Sequence, residues 1–134
     1  MKKKPKKSSK KSSKKSKKKS RTSRKKKLDR LWATLVKERA GGHCEYCGKT
    51  EYLNAHHIFS RNNHSVRWAL ENGVALCPSC HVFGNHSAHK APIEFSEWLK
   101  ETRGEEWFND LRAKAKVVSP NIDLDEVEQH LTSV

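Results

Sequence analysis

Four cysteines and seven histidines carry the chemistry that this chain could perform. Cys44 and Cys47 stand in HCEYCG, Cys77 and Cys80 in LCPSCH, and the pairs have the spacing Cys-x2-Cys-x29-Cys-x2-Cys. Two residues between thiols let both sulfurs face one ion at about 2.3 Å while the backbone turns around it, so the set suits a tetrahedral structural Zn2+. Gly48 and Pro78 suit the tight turns this needs. The rival readings are two disulfides, which need an oxidising compartment, and four unrelated buried thiols. Between the pairs lies AHHI, with His56 and His57, and seven of the eight histidines fall within residues 43–89. On a strand, adjacent histidines point to opposite faces, so one can ligate a metal while the other reaches a substrate from another direction. His81 directly follows Cys80, so a zinc knuckle would hold it nearby. A histidine titrates near neutrality and can act as ligand or proton acceptor.

The charge is concentrated at one end. Of 29 Lys and Arg, 17 lie in residues 1–27, where there is no Asp or Glu; residues 28–134 carry 12 basic and 15 acidic side chains. The Lys/Ser-rich segment cannot bury enough apolar surface to offset its ordering entropy, and it is expected to be a disordered basic tail over 1–27. Such an arm would neutralise phosphates of a nucleic acid in a salt-sensitive, sequence-independent way, or else serve solubility or localisation. No apolar stretch of secretory-signal or membrane-spanning type follows it. A reducing, intracellular setting is therefore expected, which favours zinc over disulfides.

The elements that must position these residues follow from periodicity. Leu28, Leu31, Trp32, Leu35 and Val36 have helical spacing, and Gly41-Gly42 should end that helix. Residues 52–59 and 73–77 read as strands delivering the histidine pair and the second knuckle. A helical turn is expected at 78–83, interrupted by Gly84-Asn85. Pro92 opens a further helix with Phe95, Trp98 and Leu99 inward; another is expected over 105–117, then a turn at Ser119-Pro120 and a last short helix over 122–131.

The run AHHI, then Asn72, then LCPSCH resembles the HNH nuclease motif embedded in zinc knuckles. The likeness covers roughly residues 40–90 and is similar to small phage and bacterial HNH endonucleases, including the endonuclease VII type with its four-cysteine zinc. The segment PIEFSEWLKE at 92–101 also looks like the stretch C-terminal to the motif in small phage proteins. The resemblance implies an α+β fold: a ββα-metal core with a four-cysteine zinc site, flanked by helices. It implies a catalytic divalent metal held by His56 and His81, a general base at His57, and Asn72 orienting the hairpin by hydrogen bonding without touching metal. Many members carry Asp where this chain has His56. A less anionic site favours Mn2+, Ni2+ or Zn2+ beside Mg2+.

These readings together predict residues 28–134 as a zinc-stapled HNH domain that cuts DNA phosphodiester bonds, encoded by a phage and acting in a host cytoplasm. His89 is a second-tier metal ligand. Lys25, Lys26, Lys27, Arg61, Arg67 and Lys90 are expected to contact DNA. His64 and His86 read equally well as solvated surface residues. A homodimer or a phage DNA-processing partner is compatible with the flanking helices. The competing readings are a non-catalytic zinc module that binds nucleic acid through its tail and a structural component of a larger DNA-processing machine. The binding module differs from a nuclease in needing neither His57 nor His81.

Overall fold

The computed structural model describes residues 11–117 and 121–134, with side chains described from residue 20 onward. Its elements are α1 (Lys11–Arg39), β1 (Asn54–His57), β2 (Gly73–Leu76), α2 (Pro92–Arg103), α3 (Glu105–Lys116) and α4 (Leu124–Thr132). A 3-10 turn at Leu70–Asn72 leads into β2, and a five-residue turn with i→i+5 bonding at Ser79–Phe83 follows it. Mixed helices around one small antiparallel sheet make this an α+β fold, and the hairpin with its following turn forms a ββα-metal arrangement. The expected turn at Ser119-Pro120 lies outside the described residues.

β1 and β2 pair antiparallel, with His56 opposite Val74 and His57 opposite Gly73. Residues directly opposite share a face, and the face alternates along each strand. One face therefore carries His56 with Val74 and Leu76, and these two apolar residues join a core with Phe95, Leu99 and Phe108. The other carries Ala55, His57 and Ala75 toward a second core built by Leu28, Trp32 and Val36 of α1 with Leu124 and Leu131 of α4. Leu28, Trp32 and Val36 recur every four residues, which places them on one stripe of α1. Gly73 lets that stripe come close: a Cβ there would lie 2.4 Å from Val36 and 2.9 Å from Trp32.

The structure differs from the disordered tail expected over 1–27. The helix begins at Lys11, well before Leu28; residues 1–10 lie outside the described residues. Lysine and arginine are good helix formers, so a chain nucleated by a docked stripe continues backward through them at small cost. α4 supplies the docking: Arg24 pairs with Asp125 and Glu128, Lys27 with Glu128, and Arg21 donates to the Ile122 carbonyl. The helix stops at Arg39, and Gly41 and Gly42 take positive φ of 68° and 73° while their amides bond back to Glu38 and Lys37.

Candidate metal centre and active site

The two knuckles converge. The Sγ atoms of Cys44, Cys47, Cys77 and Cys80 all lie within 4.8 Å of one another, and none forms a disulfide. Cys47 and Cys77 are 3.6 Å apart, close to the edge of about 3.8 Å that a tetrahedral zinc with bonds of about 2.3 Å imposes. Local turns make this possible. Cys44 N donates to Lys49 O and Gly48 N to Cys44 O, with Gly48 at φ 83°. The first knuckle is tied to β2 by Glu45, whose amide donates to Ala75 O while its carboxylate accepts from Ala75 N. Burial opposes ionisation of Cys77, yet the Cys80 amide and neighbouring sulfurs outweigh it and bring its thiol down to about 7. Burial and the neighbouring thiols push Cys80 up. Thiols that compete for protons in this way are a donor set that a divalent cation would satisfy.

A second cluster lies on the other side of Cys80. One ring nitrogen from each of His56, His81 and His89 falls within 4.8 Å of the others. The His81 and His89 Nε2 atoms are 3.2 Å apart, near the spacing of about 3.3 Å for two nitrogens on one ion at about 2.0 Å. β1 positions His56. The turn after Cys80 positions His81, whose amide donates to Cys77 O. A short backbone ladder aligns the third: Ala88 N donates to Cys80 O and His89 N to His81 O. Burial, then the charges His81, His89 and His57 would carry, hold His56 down to about 3; burial and His89 lower His81 as well. Neutral imidazoles are the form that ligates a metal. Three nitrogens without a carboxylate fit an ion of the Ni or Zn kind. His89 is thus placed as firmly in the cluster as His56 and His81. Only the ladder that brings 88–89 alongside 80–81 reveals this, because eight residues separate His81 from His89 in the sequence.

His57 points to the opposite face. Its ring stacks on Trp32 with centroids 3.9 Å apart and planes at 10°, and Nε2 lies 3.0 Å from Arg67 O. A carbonyl only accepts, so Nε2 carries the proton and the lone pair falls on Nδ1. Burial, with lesser contributions from Arg67 and Arg61, lowers His57 against the raising effects of that bond and Asp29. His57 is therefore neutral at pH 7 and able to accept a proton.

Asn72 is fully buried; its Oδ1 accepts from Phe59 N at 2.8 Å, and Nδ2 donates to Phe59 O and Val66 O. It pins both ends of the loop that leaves β1. The expected DNA contacts divide. Lys26 and Arg61 are exposed and Lys25 is half-buried. Lys27 is paired with Glu128, and Lys90 Nζ donates to Phe83 O. Arg67 departs from the expectation: it is a two-bond partner of Asp29 at 3.0 and 2.7 Å with 12% of its side chain exposed, so its guanidinium faces protein and not solvent. His86 is exposed, as expected of a surface residue, and brings Nε2 to 3.4 Å from Cys80 Sγ, within N–H···S range. Gly84 permits this approach, since a Cβ there would fall 2.5 Å from the His86 ring. His64 stands over Trp68, rings parallel and 6.3 Å apart.

Residues 44–86 match the family model described as HNH endonuclease. No curated protein and no solved structure matches the chain. No helix among the described residues is long and apolar enough to cross a membrane. The matched segment spans both knuckles, both strands, Asn72 and His81, and this part of the chain matches the HNH family.

Proposed function

We propose that the protein is a metal-dependent DNA endonuclease whose general base is His57 and whose catalytic ion is held by His56, His81 and His89. The observation that carries the reading is the three-histidine cluster on one face of the hairpin with a neutral, oriented histidine on the next residue of the same strand. A module that only binds nucleic acid needs the four-cysteine staple but neither feature.

A divalent ion held by His56, His81 and His89 would supply Lewis-acid stabilisation of phosphate charge. The chain's own residues do the rest. His57 takes a proton from the attacking water at Nδ1, while Arg67 O keeps the other nitrogen protonated. Asn72 fixes the loop from Phe59 to Val66 and so the exit of β1. The four-cysteine centre sets Cys80, and through it His81 and, by the backbone ladder, His89. Arg61, Lys25 and Lys26 offer cations for the phosphate backbone, and the further Lys residues of 1–19 add counterion-releasing charge.

Plasmid nicking with Mg2+, Mn2+, Ni2+ or EDTA tests the reading. Cleavage with at least one ion, abolished by EDTA and by His89→Ala, is the expected result. DNA binding without cleavage under every ion supports the binding-module reading instead.

A further inference from the structure

We propose that α1, which lies outside the segment matching the HNH family, completes the active site: Trp32 and the Asp29–Arg67 pair are positioning residues for His57. This rests on His57 being the base. An imidazole has two rotations to fix, and the two contacts fix one each. The Trp32 indole, 1% exposed, sets the ring plane by stacking, and it is itself held by donation from Nε1 to Ala69 O at 2.8 Å. Arg67 O then sets the rotation within that plane and the tautomer. Something other than His57 must hold that carbonyl in place. Asp29 does, by gripping the Arg67 side chain through both carboxylate oxygens and accepting a third bond from Trp68 Nε1 at 2.9 Å.

Asp29 and Trp32 stand three residues apart on α1 and so share one face of it. The strand opposite accommodates them: Gly73, the cross-strand partner of His57, leaves the space that the indole fills. Stability alone does not call for such a pair. A partly buried ion pair contributes little net stability over apolar packing, whereas its fork geometry specifies position. A mispositioned base loses rate without losing substrate affinity, because misalignment of reacting groups acts on the chemical step.

The test uses the full chain with saturating divalent ion. Asp29→Asn should lower kcat about 10- to 100-fold with KM, metal content and DNA affinity unchanged. Trp32→Phe, which keeps a stacking ring, should retain more kcat than Trp32→Leu. In a His57→Ala background, Asp29→Asn should cost nothing further, because residues acting through one group are not additive. A folded Asp29→Asn protein with wild-type kcat, a loss confined to KM, or a full additional loss in the His57→Ala background would overturn the proposal. Should the Trp32 variants fail to fold, the Asp29 measurements decide it alone. A wild-type protein that cuts no DNA, or a His57→Ala protein that cuts like wild type, overturns the base assignment itself and is distinguishable from these results.

Discussion

Burial and neighbouring donors shift Cys77, Cys80, His56 and His81 in the two clusters. His56 is the clearest case. Burial and three adjacent imidazoles hold it at about 3, far below the usual histidine value. The folded protein therefore resists protonation that the unfolded chain accepts, and stability is present above the unfolded value of about 6.5 and lost as pH falls toward about 3. With the histidine cluster kept free of metal, the stability difference between wild type and His56→Gln should shift against wild type through this window, measured by urea midpoints at each pH. Groups that do not interact with His56 cancel in that difference, and the remainder reports His56 together with its coupling to His81, His89 and His57. His89→Ala should weaken Mn2+ or Ni2+ binding by at least about tenfold, read by calorimetry, since even indirect partners of a ligand contribute that much. Asn72→Ala strands Phe59 N, Phe59 O and Val66 O, and it should lower stability by about 2–4 kcal/mol in urea denaturation. His56, His57, Asn72 and His81 are readable in the sequence because a short motif puts them at characteristic distances from the cysteines. His89 is only faintly readable and His86 not at all, because a tight turn rather than a periodic element brings them in.

Among the elements, α1 changes meaning most. Lysine runs without apolar partners read as unstructured chain, yet the docked stripe of Leu28, Trp32 and Val36 extends helix back to Lys11. The stripe is legible from its spacing; the acidic face of α4 that receives Arg24 and Lys27 lies about a hundred residues away and is not. Charge and packing contribute unequally to this docking. Arg24, Lys27, Asp125 and Glu128 are all more than a third exposed, so their pairs are worth under about 1 kcal/mol. Leu131 is 1% exposed in the core between α1 and α4. Leu131→Ala should therefore cost about 2–5 kcal/mol, while Arg24→Ala should cost under about 1 kcal/mol, both read from thermal or urea unfolding. The strand signals at 52–59 and 73–77 predict a longer hairpin than the four residues on each side that form it. Asn72 ends β1's pairing by taking Phe59's backbone groups for itself.

For the whole molecule, the two donor sets form a sequence rather than a pair of equals. An ion on the four thiols would close two knuckles 29 residues apart in the chain, and the backbone bonds from Cys80 and His81 to Ala88 and His89 tie the histidine cluster to it. Stripping that ion should abolish divalent binding at the histidines, whereas His81→Ala should leave one tightly held zinc; metal content after dialysis reads both. Cations are distributed to match. Arg67 is spent on an internal contact, whereas Lys25, Lys26, Arg61, Lys90, the N-terminal lysines and Lys27, which is 67% exposed beside Glu128, remain for a polyanion. Removing residues 1–19 should weaken DNA binding and flatten its salt dependence while leaving both clusters intact, as titrations at several salt concentrations would show. The central claim is that the hairpin's second histidine is the base. Plasmid cleavage by wild type and His57→Ala, at equal DNA occupancy and equal metal content, measures it directly. The account predicts a rate at least about a hundredfold lower for His57→Ala; equal rates for the two proteins would contradict it.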